Sequence, residues 1–112
     1  METVGTGAGR LDLKLQIGSA QQLTFVFTDE DISGKTFSFA LYKYKGSRKK
    51  IFNYTNQSGI QVPVYSTDEI RVNILAADVT TIDEGEYYYE LRREDLDKPK
   101  VYGLAYLSFD AK

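Results

Sequence analysis

The sequence predicts an all-β fold, an antiparallel sandwich of seven to eight short strands, from three observations. Apolar and polar residues alternate in several runs, and the run at residues 11–17 is the clearest. Alternation with a period of two is typical of half-buried strands. Turn-forming residues, such as Gly18 and Gly46, separate the runs, and no helical period appears between them. Short strands at regular spacing with intervening turns indicate a sandwich.

One turn narrows this prediction to an immunoglobulin-like sandwich. Asp83, Gly85 and Tyr87 form Asp-x-Gly-x-Tyr ahead of an alternating run, which is the spacing of a tyrosine corner. We therefore expect Tyr87 to be largely buried, with its hydroxyl bonded to a backbone group in residues 79–84. Tyr89 stands where antibody domains carry a disulfide-forming Cys. The chain contains no Cys, so the disulfide is absent and Tyr89 is expected to fill its volume.

The strands are expected, in chain order, at residues 11–17, 23–28, 36–44, 51–54, 60–64, 69–75, 86–93 and 101–109. Pro63 lacks a backbone donor, so the strand at 60–64 is expected at a sheet edge. The alternation predicts a core of Leu13, Leu15, Leu23, Phe25, Phe37, Phe39, Ile70, Val72, Ile74, Tyr89 and Leu91. For the last strand we expect an inward set of Val101, Gly103, Ala105, Leu107 and Phe109. The opposite phase stays open there, because Leu104 disturbs the alternation.

A length of 112 residues is typical of one domain, which we assign to residues 11–112. Residues 1–10 contain three glycines and are expected to form an arm outside the sandwich. We predict that the arm is extended and lies against another polypeptide. The beginning of the sequence lacks the pattern of a signal peptide, and no apolar run is long enough to span a bilayer. The expected place of synthesis is the cytoplasm, and no membrane partner is expected.

The composition excludes several classes of chemistry. With no His and no Cys, the chain cannot form Cys/His zinc sites, Ser-His-Asp triads or Cys-His dyads. A formal net charge of −2 gives no overall attraction to nucleic acid. A single small sandwich offers little concavity for a carboxylate-based active site. We therefore expect no catalytic residues, no cofactor and no metal, and the protein is expected not to be an enzyme.

Two charged clusters are candidate sites with simpler alternatives. Loops at one end of an immunoglobulin-like sandwich would bring together the acidic residues Asp29, Glu30, Asp31, Glu94, Asp95 and Asp97. Converging carboxylates can bind calcium, but a solvated acidic rim is the favoured explanation, because no loop has the spacing of a calcium site. The basic residues Lys43, Lys45, Arg48, Lys49 and Lys50 can bind phosphate or can simply keep a hairpin tip soluble.

The aromatic cluster is the strongest candidate for function. The third strand, the 86–93 strand and the last strand of an immunoglobulin-like fold share one sheet. Their outward phase carries Tyr42, Tyr44, Tyr88, Tyr102, Leu104 and Tyr106. Tyr is enriched at the cores of protein interfaces, and a face of tyrosines can also serve as a platform for sugar rings. The alternative is that Tyr merely suits half-exposed strand positions.

The segment from Leu75 to Leu91, with Ala77, Thr80, Gly85, Tyr87 and Tyr89 between them, resembles one in small immunoglobulin-like virion proteins of tailed bacteriophages. The resemblance covers about residues 11–109. It extends to the alternating first strand, to the Leu23-Thr24-Phe25 strand and to Gly103 in the last strand. It implies a capsid auxiliary, head-fibre, neck, tail or baseplate protein, located in the virion. It carries over no catalytic residues.

The resemblance and the composition lead to the same functional hypothesis. The chain is expected to be a structural virion protein that binds other virion proteins, or further copies of itself, through the tyrosines. The alternative is a carbohydrate-binding adhesion module that presents the same tyrosines to a glycan.

Overall fold

The computed structural model of the chain describes residues 2–5, 9–27, 32, 35–61, 69–94 and 101–109, and for residues 2–5 and 9 only the backbone is considered. The strands of this part of the chain are β1 (Glu2–Gly5), β2 (Gly9–Arg10), β3 (Leu13–Gln16), β4 (Gln21–Val26), β5 (Phe37–Tyr42), β6 (Lys50–Thr55), β7 (Ile60–Gln61), β8 (Glu69–Ile74), β9 (Gly85–Arg93) and β10 (Val101–Ser108). A 3-10 helix at Ala76–Val79 follows β8.

The strands form two sheets that pack face to face. The smaller sheet has the order β1-β4-β8-β7, and the larger has the order β2-β10-β9-β5-β6, with β3 also paired to β10. The division into β4, β8 and β7 against β5, β9 and β10 is that of an immunoglobulin sandwich. The predicted all-β, disulfide-free, immunoglobulin-like fold is therefore confirmed. The strand at Ile60–Gln61 lies at a sheet edge, as expected, while Pro63 is outside the described residues.

The core contains all eleven residues of the predicted core, from Leu13 to Leu91. All of them are buried, and the fully enclosed side chains include Tyr89, Phe25, Phe37 and Phe39. The Phe39 ring lies at the centre, with ring centroids 5.5 Å from Tyr89 and 6.3 Å from Phe25. Phe39 and Tyr89 come from the larger sheet and Phe25 from the smaller, so this aromatic cluster joins the two sheets.

The last strand has the expected phase except at its end. Val101, Gly103, Ala105 and Leu107 are buried, but Phe109 is exposed by 60%. The prediction for Phe109 is wrong because β10 ends at Ser108, and strand alternation does not extend past the last paired residue. The Phe109 backbone N–H instead donates to the Glu84 carboxylate, with 3.2 Å between nitrogen and oxygen.

The beginning of the chain belongs to the sandwich rather than to a separate arm. β1 pairs in parallel with β4, from Glu2 opposite Leu23 to Gly5 opposite Val26. β2 and β3 pair in parallel with β10. For these residues the prediction of an arm outside the domain is corrected, since their backbone groups find strand partners within the same chain. The same pairings explain why the sandwich has more strands than predicted and is not antiparallel throughout.

The junction of β2 and β3 is held by side chains as well as by backbone. The Tyr89 hydroxyl donates to the Leu11 carbonyl, and the Asp12 carboxylate accepts the Leu104 backbone N–H at 3.0 Å. A Cβ atom on Gly103 would lie 2.3 Å from the Leu11 carbonyl oxygen, so only a glycine permits this approach. Tyr89 fills the expected volume and also ties β9 to the beginning of the chain.

The tyrosine corner has the predicted bond but less burial than expected. The Tyr87 hydroxyl donates to the Asp83 carbonyl oxygen at 2.7 Å. Tyr87 is only half-buried and packs against the edge of the core. Its strand partner across the sheet is the small residue Ala105, so the ring is not enclosed there by a large neighbour.

Candidate interaction face

The outer face of the larger sheet collects most of the predicted tyrosines. Strand register places Tyr42 opposite Tyr88, and Tyr88 opposite Leu104. Tyr102 and Tyr106 flank Leu104 on β10 at two-residue spacing, so they share its side of the sheet. We call Tyr42, Tyr88, Tyr102, Leu104 and Tyr106 the tyrosine face. Its members form one contiguous surface across β5, β9 and β10, as the sequence predicted.

The sixth predicted residue, Tyr44, lies beyond the sheet. β5 ends at Tyr42, so Tyr44 belongs to the β5–β6 hairpin, where it is exposed by 63%. The turn begins earlier than expected, because Lys43 and Tyr44 make no ladder with a neighbouring strand in the described residues. Tyr44 is therefore a hairpin residue next to the tyrosine face rather than a strand residue within it.

Tyr88 is buried although it points away from the core. Only 7% of Tyr88 is exposed, and its ring centroid lies 6.1 Å from that of Tyr42. The Tyr88 hydroxyl donates to Glu90 at 3.0 Å, and Glu90 also accepts from the Arg92 guanidinium at 2.8 Å. Burial, followed by the bond to Glu90, raises the pKa of Tyr88. Tyr88 is thus a rigid support of the face rather than a free contact residue.

The remaining members leave aromatic surface open to solvent. Tyr106 is exposed by 37%, and Tyr42, Tyr102 and Leu104 are half-buried. The hydroxyls of Tyr42, Tyr102 and Tyr106 have no hydrogen-bond partner within the described ranges. Rings held by a sheet lose little entropy on contact, while their hydroxyls can still bond a partner. This arrangement suits binding to another surface.

A shallow pocket lies within the tyrosine face. It has a volume of about 90 Å³ and is lined by Tyr88, Tyr102, Gly103, Leu104, Arg10 and Lys45. Pockets for drug-sized ligands and cofactors have volumes of roughly 300–1,000 Å³. The pocket is therefore suited to the end of one side chain or one small group. It offers aromatic walls and two cations.

The charged side chains around the face are mostly basic. Register places Arg10 beside Tyr102, Lys14 beside Tyr106 and Lys50 beside Tyr42. The hairpin residues Lys43, Lys45, Arg48 and Lys49 are exposed. In the part of the chain that the structure describes, Lys14 and these hairpin residues form no ion pair with a carboxylate. The predicted basic cluster thus lies next to the tyrosine face.

The predicted acidic cluster falls almost wholly outside the described residues. Asp29, Glu30, Asp31, Asp95 and Asp97 are not described, and Glu94 alone is, as an exposed residue after β9. Among the residues that are described, no group of three or more carboxylates is placed to hold a metal ion. Over the same ranges, no helix is long and apolar enough to cross a membrane.

Three charged residues beside the tyrosine face were not predicted from sequence. Glu90 and Arg92 share the outward phase of Tyr88 on β9, so their spacing of two was a readable signal. Arg10 gave no such signal. It reaches the face because β2 pairs with β10, which is a long-range contact formed by a segment without an alternating pattern.

Comparison with known proteins supports the fold alone. No protein-family model matches the chain, and no curated protein sequence matches it. Among solved structures, the chain resembles reduced auracyanin from the photosynthetic bacterium Roseiflexus castenholzii, with 9% identity and a TM-score of 0.51 over 96% of this chain and 95% of that one. The extracellular domain of a voltage-gated sodium channel beta4 subunit has 14% identity and a TM-score of 0.35, over 94% of this chain and 97% of that one.

The likeness to auracyanin supports a β-sandwich fold. It brings no chemistry with it, because at such low identity only the fold is shared. Blue-copper centres require His and Cys ligands, and this chain contains neither.

Proposed function

We propose that the chain is a non-catalytic structural protein of a tailed-phage virion, a capsid auxiliary, head-fibre, neck or tail component that binds neighbouring subunits. One observation carries the proposal: a rigid aromatic face lies on the outer side of the larger sheet, and three of its four hydroxyls, those of Tyr42, Tyr102 and Tyr106, have no hydrogen-bond partner among the described residues. Large exposed aromatic surfaces favour association, and Tyr is among the residues that dominate interface energies. The partners are other virion proteins or further copies of the chain.

The resemblance of the segment from Leu75 to Leu91 to phage virion proteins supports the location. So does the composition, since a particle assembled in a host cytoplasm needs no disulfide, and the chain contains no Cys. The corner residues Asp83, Gly85 and Tyr87 have a structural role in this proposal, because their hydrogen bond lies within the chain. No cofactor and no metal are required.

The proposal is tested with a double variant, Tyr44→Ser with Tyr106→Ser. Both side chains are exposed, by 63% and 37%, so the sandwich should keep its stability to within about 0.5 kcal/mol. We expect a several-fold loss of the protein from particles purified from host cells that carry the gene, quantified by mass spectrometry. Tyr88 is unsuitable for this test, because its burial would mix loss of contact with loss of stability.

The matched control is Leu75→Ser with Phe109→Ser. These side chains are exposed by 57% and 60% and lie off the tyrosine face, so we expect normal incorporation. Equal incorporation of the two folded double variants would contradict the proposal.

The second candidate function is carbohydrate binding by the same face. Tyr88 and Tyr102 line a shallow pocket, and aromatic rings next to a small depression suit the stacking of a sugar ring. A glycan array separates the two candidates: binding that disappears in the Tyr44/Tyr106 variant, together with normal particle incorporation, would favour the carbohydrate module.

A further inference from the structure

The pocket in the tyrosine face has a chemical character that differs from that of the chain as a whole. The full sequence has 16 acidic and 14 basic residues. Register and pocket lining nevertheless bring five cations to the larger sheet's outer face, from Arg10, Lys14, Lys45, Lys50 and Arg92. Three carboxylates, from Asp12, Glu86 and Glu90, lie on or beside it. An acidic protein therefore presents a locally basic aromatic surface.

Two of the three carboxylates on this surface are already engaged. Glu90 accepts from both the Tyr88 hydroxyl and the Arg92 guanidinium, and its side chain is exposed by only 13%. Asp12 accepts a hydrogen bond from the Leu104 backbone N–H. This bond is the main reason why the pKa of the exposed Asp12 carboxyl is lowered. Neither carboxylate is left to neutralise Lys45.

The donors that line the pocket are, in contrast, available. Lys45 forms no ion pair and the Tyr102 hydroxyl no hydrogen bond within the described ranges. Arg10 contacts Asp12 through one long bond of 3.3 Å, with side-chain exposures of 59% and 39%. Exposed pairs of this kind are worth little, and an arginine has five N–H donors. The pocket thus combines two cations and a hydroxyl donor around an apolar floor.

The size of the pocket limits what can occupy it. A volume of about 90 Å³ is far below the roughly 300–1,000 Å³ of a pocket for a drug-sized ligand. A pocket of this size, lined by Tyr88 and Leu104 together with Arg10 and Lys45, suits a short side chain that has an apolar stem and a negatively charged end. A side chain of Glu or Asp has this construction.

We infer that the pocket between Arg10 and Lys45 receives a carboxylate side chain from an acidic segment of the neighbouring subunit. The inference rests on the proposed function, because it names the chemistry of the partner that the tyrosine face binds. The aromatic rings supply contact area, and the two cations select the partner and fix its position. Charge complementarity across an interface contributes to specificity and to the association rate more than to raw affinity.

The test titrates the full chain with defined probes and follows backbone amide signals by NMR. The probe is a blocked ten-residue peptide of alternating Glu and Gly, compared with the same peptide carrying Gln and with an oligogalacturonate. We expect the Glu peptide, at low salt, to shift the signals of Tyr88, Tyr102 and Leu104. The Gln peptide should not do so, and raising the salt should weaken the effect because exposed charges are screened.

Matched variants assign the binding to the pocket. Lys45→Gln should weaken peptide binding about three- to fivefold, the upper range for one exposed ion pair, and Lys45→Arg should retain it. The control Arg48→Gln removes the same charge from the same hairpin but does not line the pocket, so it should weaken binding less than twofold. Both side chains are exposed, so both variants should remain folded.

Three results would overturn the inference: equal weakening by Lys45→Gln and Arg48→Gln, equal binding of the Glu and Gln peptides, or shifts at the pocket with the oligogalacturonate alone. The assay also separates the two proposals. Pocket-specific peptide binding with normal incorporation of the Tyr44/Tyr106 variant would support selection of a carboxylate side chain by the pocket but would remove a virion subunit as the partner that supplies it. Reduced incorporation of that variant without peptide binding would support the virion interface and overturn the inference of a carboxylate in the pocket.

Discussion

The outer faces of the two sheets follow the same alternation of residues but present different chemistry to solvent. On the smaller sheet, the Gln22 side-chain amide donates to Asn73 at 2.7 Å, and Asn73 donates to Gln61 at 3.3 Å. Arg71 and Glu69 form an ion pair at 2.8 Å on the same strand. The polar groups of this face largely satisfy one another.

The tyrosine face leaves its polar groups free and its rings partly open. Its hydroxyls, apart from that of Tyr88, have no partner in the described part of the chain, and its cations outnumber its carboxylates. The comparison shows where binding function lies in a sandwich. Both sheets need an apolar inner face for the core, so only the outer faces are free to differ. An outer face whose polar groups do not hydrogen-bond one another is the one suited to binding a partner.

The largest expected effect is a loss of stability that affects both sheets together. Phe39→Ala should lower the free energy of unfolding by about 3–5 kcal/mol, because Phe39 is fully buried and its ring lies near those of Tyr89, Phe25 and Phe52. Chemical denaturation followed by circular dichroism measures the change. Tyr44→Ala is the control on an exposed ring, and we expect it to change stability by less than about 0.5 kcal/mol. Similar losses for the two variants would show that the aromatic cluster does not join the sheets.

A smaller loss of stability should be confined to the larger sheet and should leave the outer face of the smaller sheet, which we call the polar face, unchanged. Tyr89→Phe removes the hydroxyl that donates to the Leu11 carbonyl and should cost about 1–3 kcal/mol if the carbonyl stays dry. Hydrogen exchange should then speed up at Leu11 and Leu104, where the beginning of the chain is held to β10, and not at Asn73. Tyr87→Phe is the comparison: its hydroxyl bond is exposed, so its loss should cost less. Uniform acceleration in both sheets would contradict a local role for Tyr89.

The inner faces were predictable because strand alternation is a local signal. The spacing of apolar residues within one strand is enough to assign them to the inner face, as for Leu13 and Leu15 in β3 and for Ile70, Val72 and Ile74 in β8. The pairing of β1 with β4 was not predictable, because the first ten residues have no alternation to fix a register. Phe109 was misplaced for a related reason: sequence shows a period but not the residue at which pairing stops.

The tyrosine face was predicted as a set, but the roles within it were not. Tyr88 shares the outward phase of Tyr102, yet it is buried by Tyr42 and bonded by Glu90. Its burial depends on cross-strand neighbours, which sequence spacing does not reveal. The reach of Lys45 into the pocket depends on the shape of a hairpin. The side of the sheet that a residue occupies can be predicted from the spacing within one strand. Its burial and its place in a pocket depend on several strands.

The smallest expected effect is a pH dependence of stability that arises from the tyrosine face and not from the polar face. Burial and the bond to Glu90 raise the pKa of Tyr88 above its ordinary value, which is near 10. A raised pKa in the folded state means that the unfolded chain loses the proton first. The stability that the neutral Tyr88 contributes is therefore complete below about pH 10 and is lost as the pH rises above it. The amide pairs of the polar face do not titrate and should give no such loss.

We therefore expect Tyr88→Phe to reduce the alkaline loss of stability by about 1 kcal/mol between pH 9 and pH 11. The comparison must be of slopes, because Tyr88→Phe also removes a hydrogen bond and lowers stability at every pH. Tyr54 and Tyr89 also have raised pKa values, mainly through burial, so the variant should keep a residual alkaline loss. Gln22→Ala is the control on the polar face and should displace the whole profile without changing its slope. Parallel profiles for wild type and Tyr88→Phe would show that Tyr88 titrates alike in the folded and unfolded states, and that the tyrosine face is more open to water than its geometry indicates.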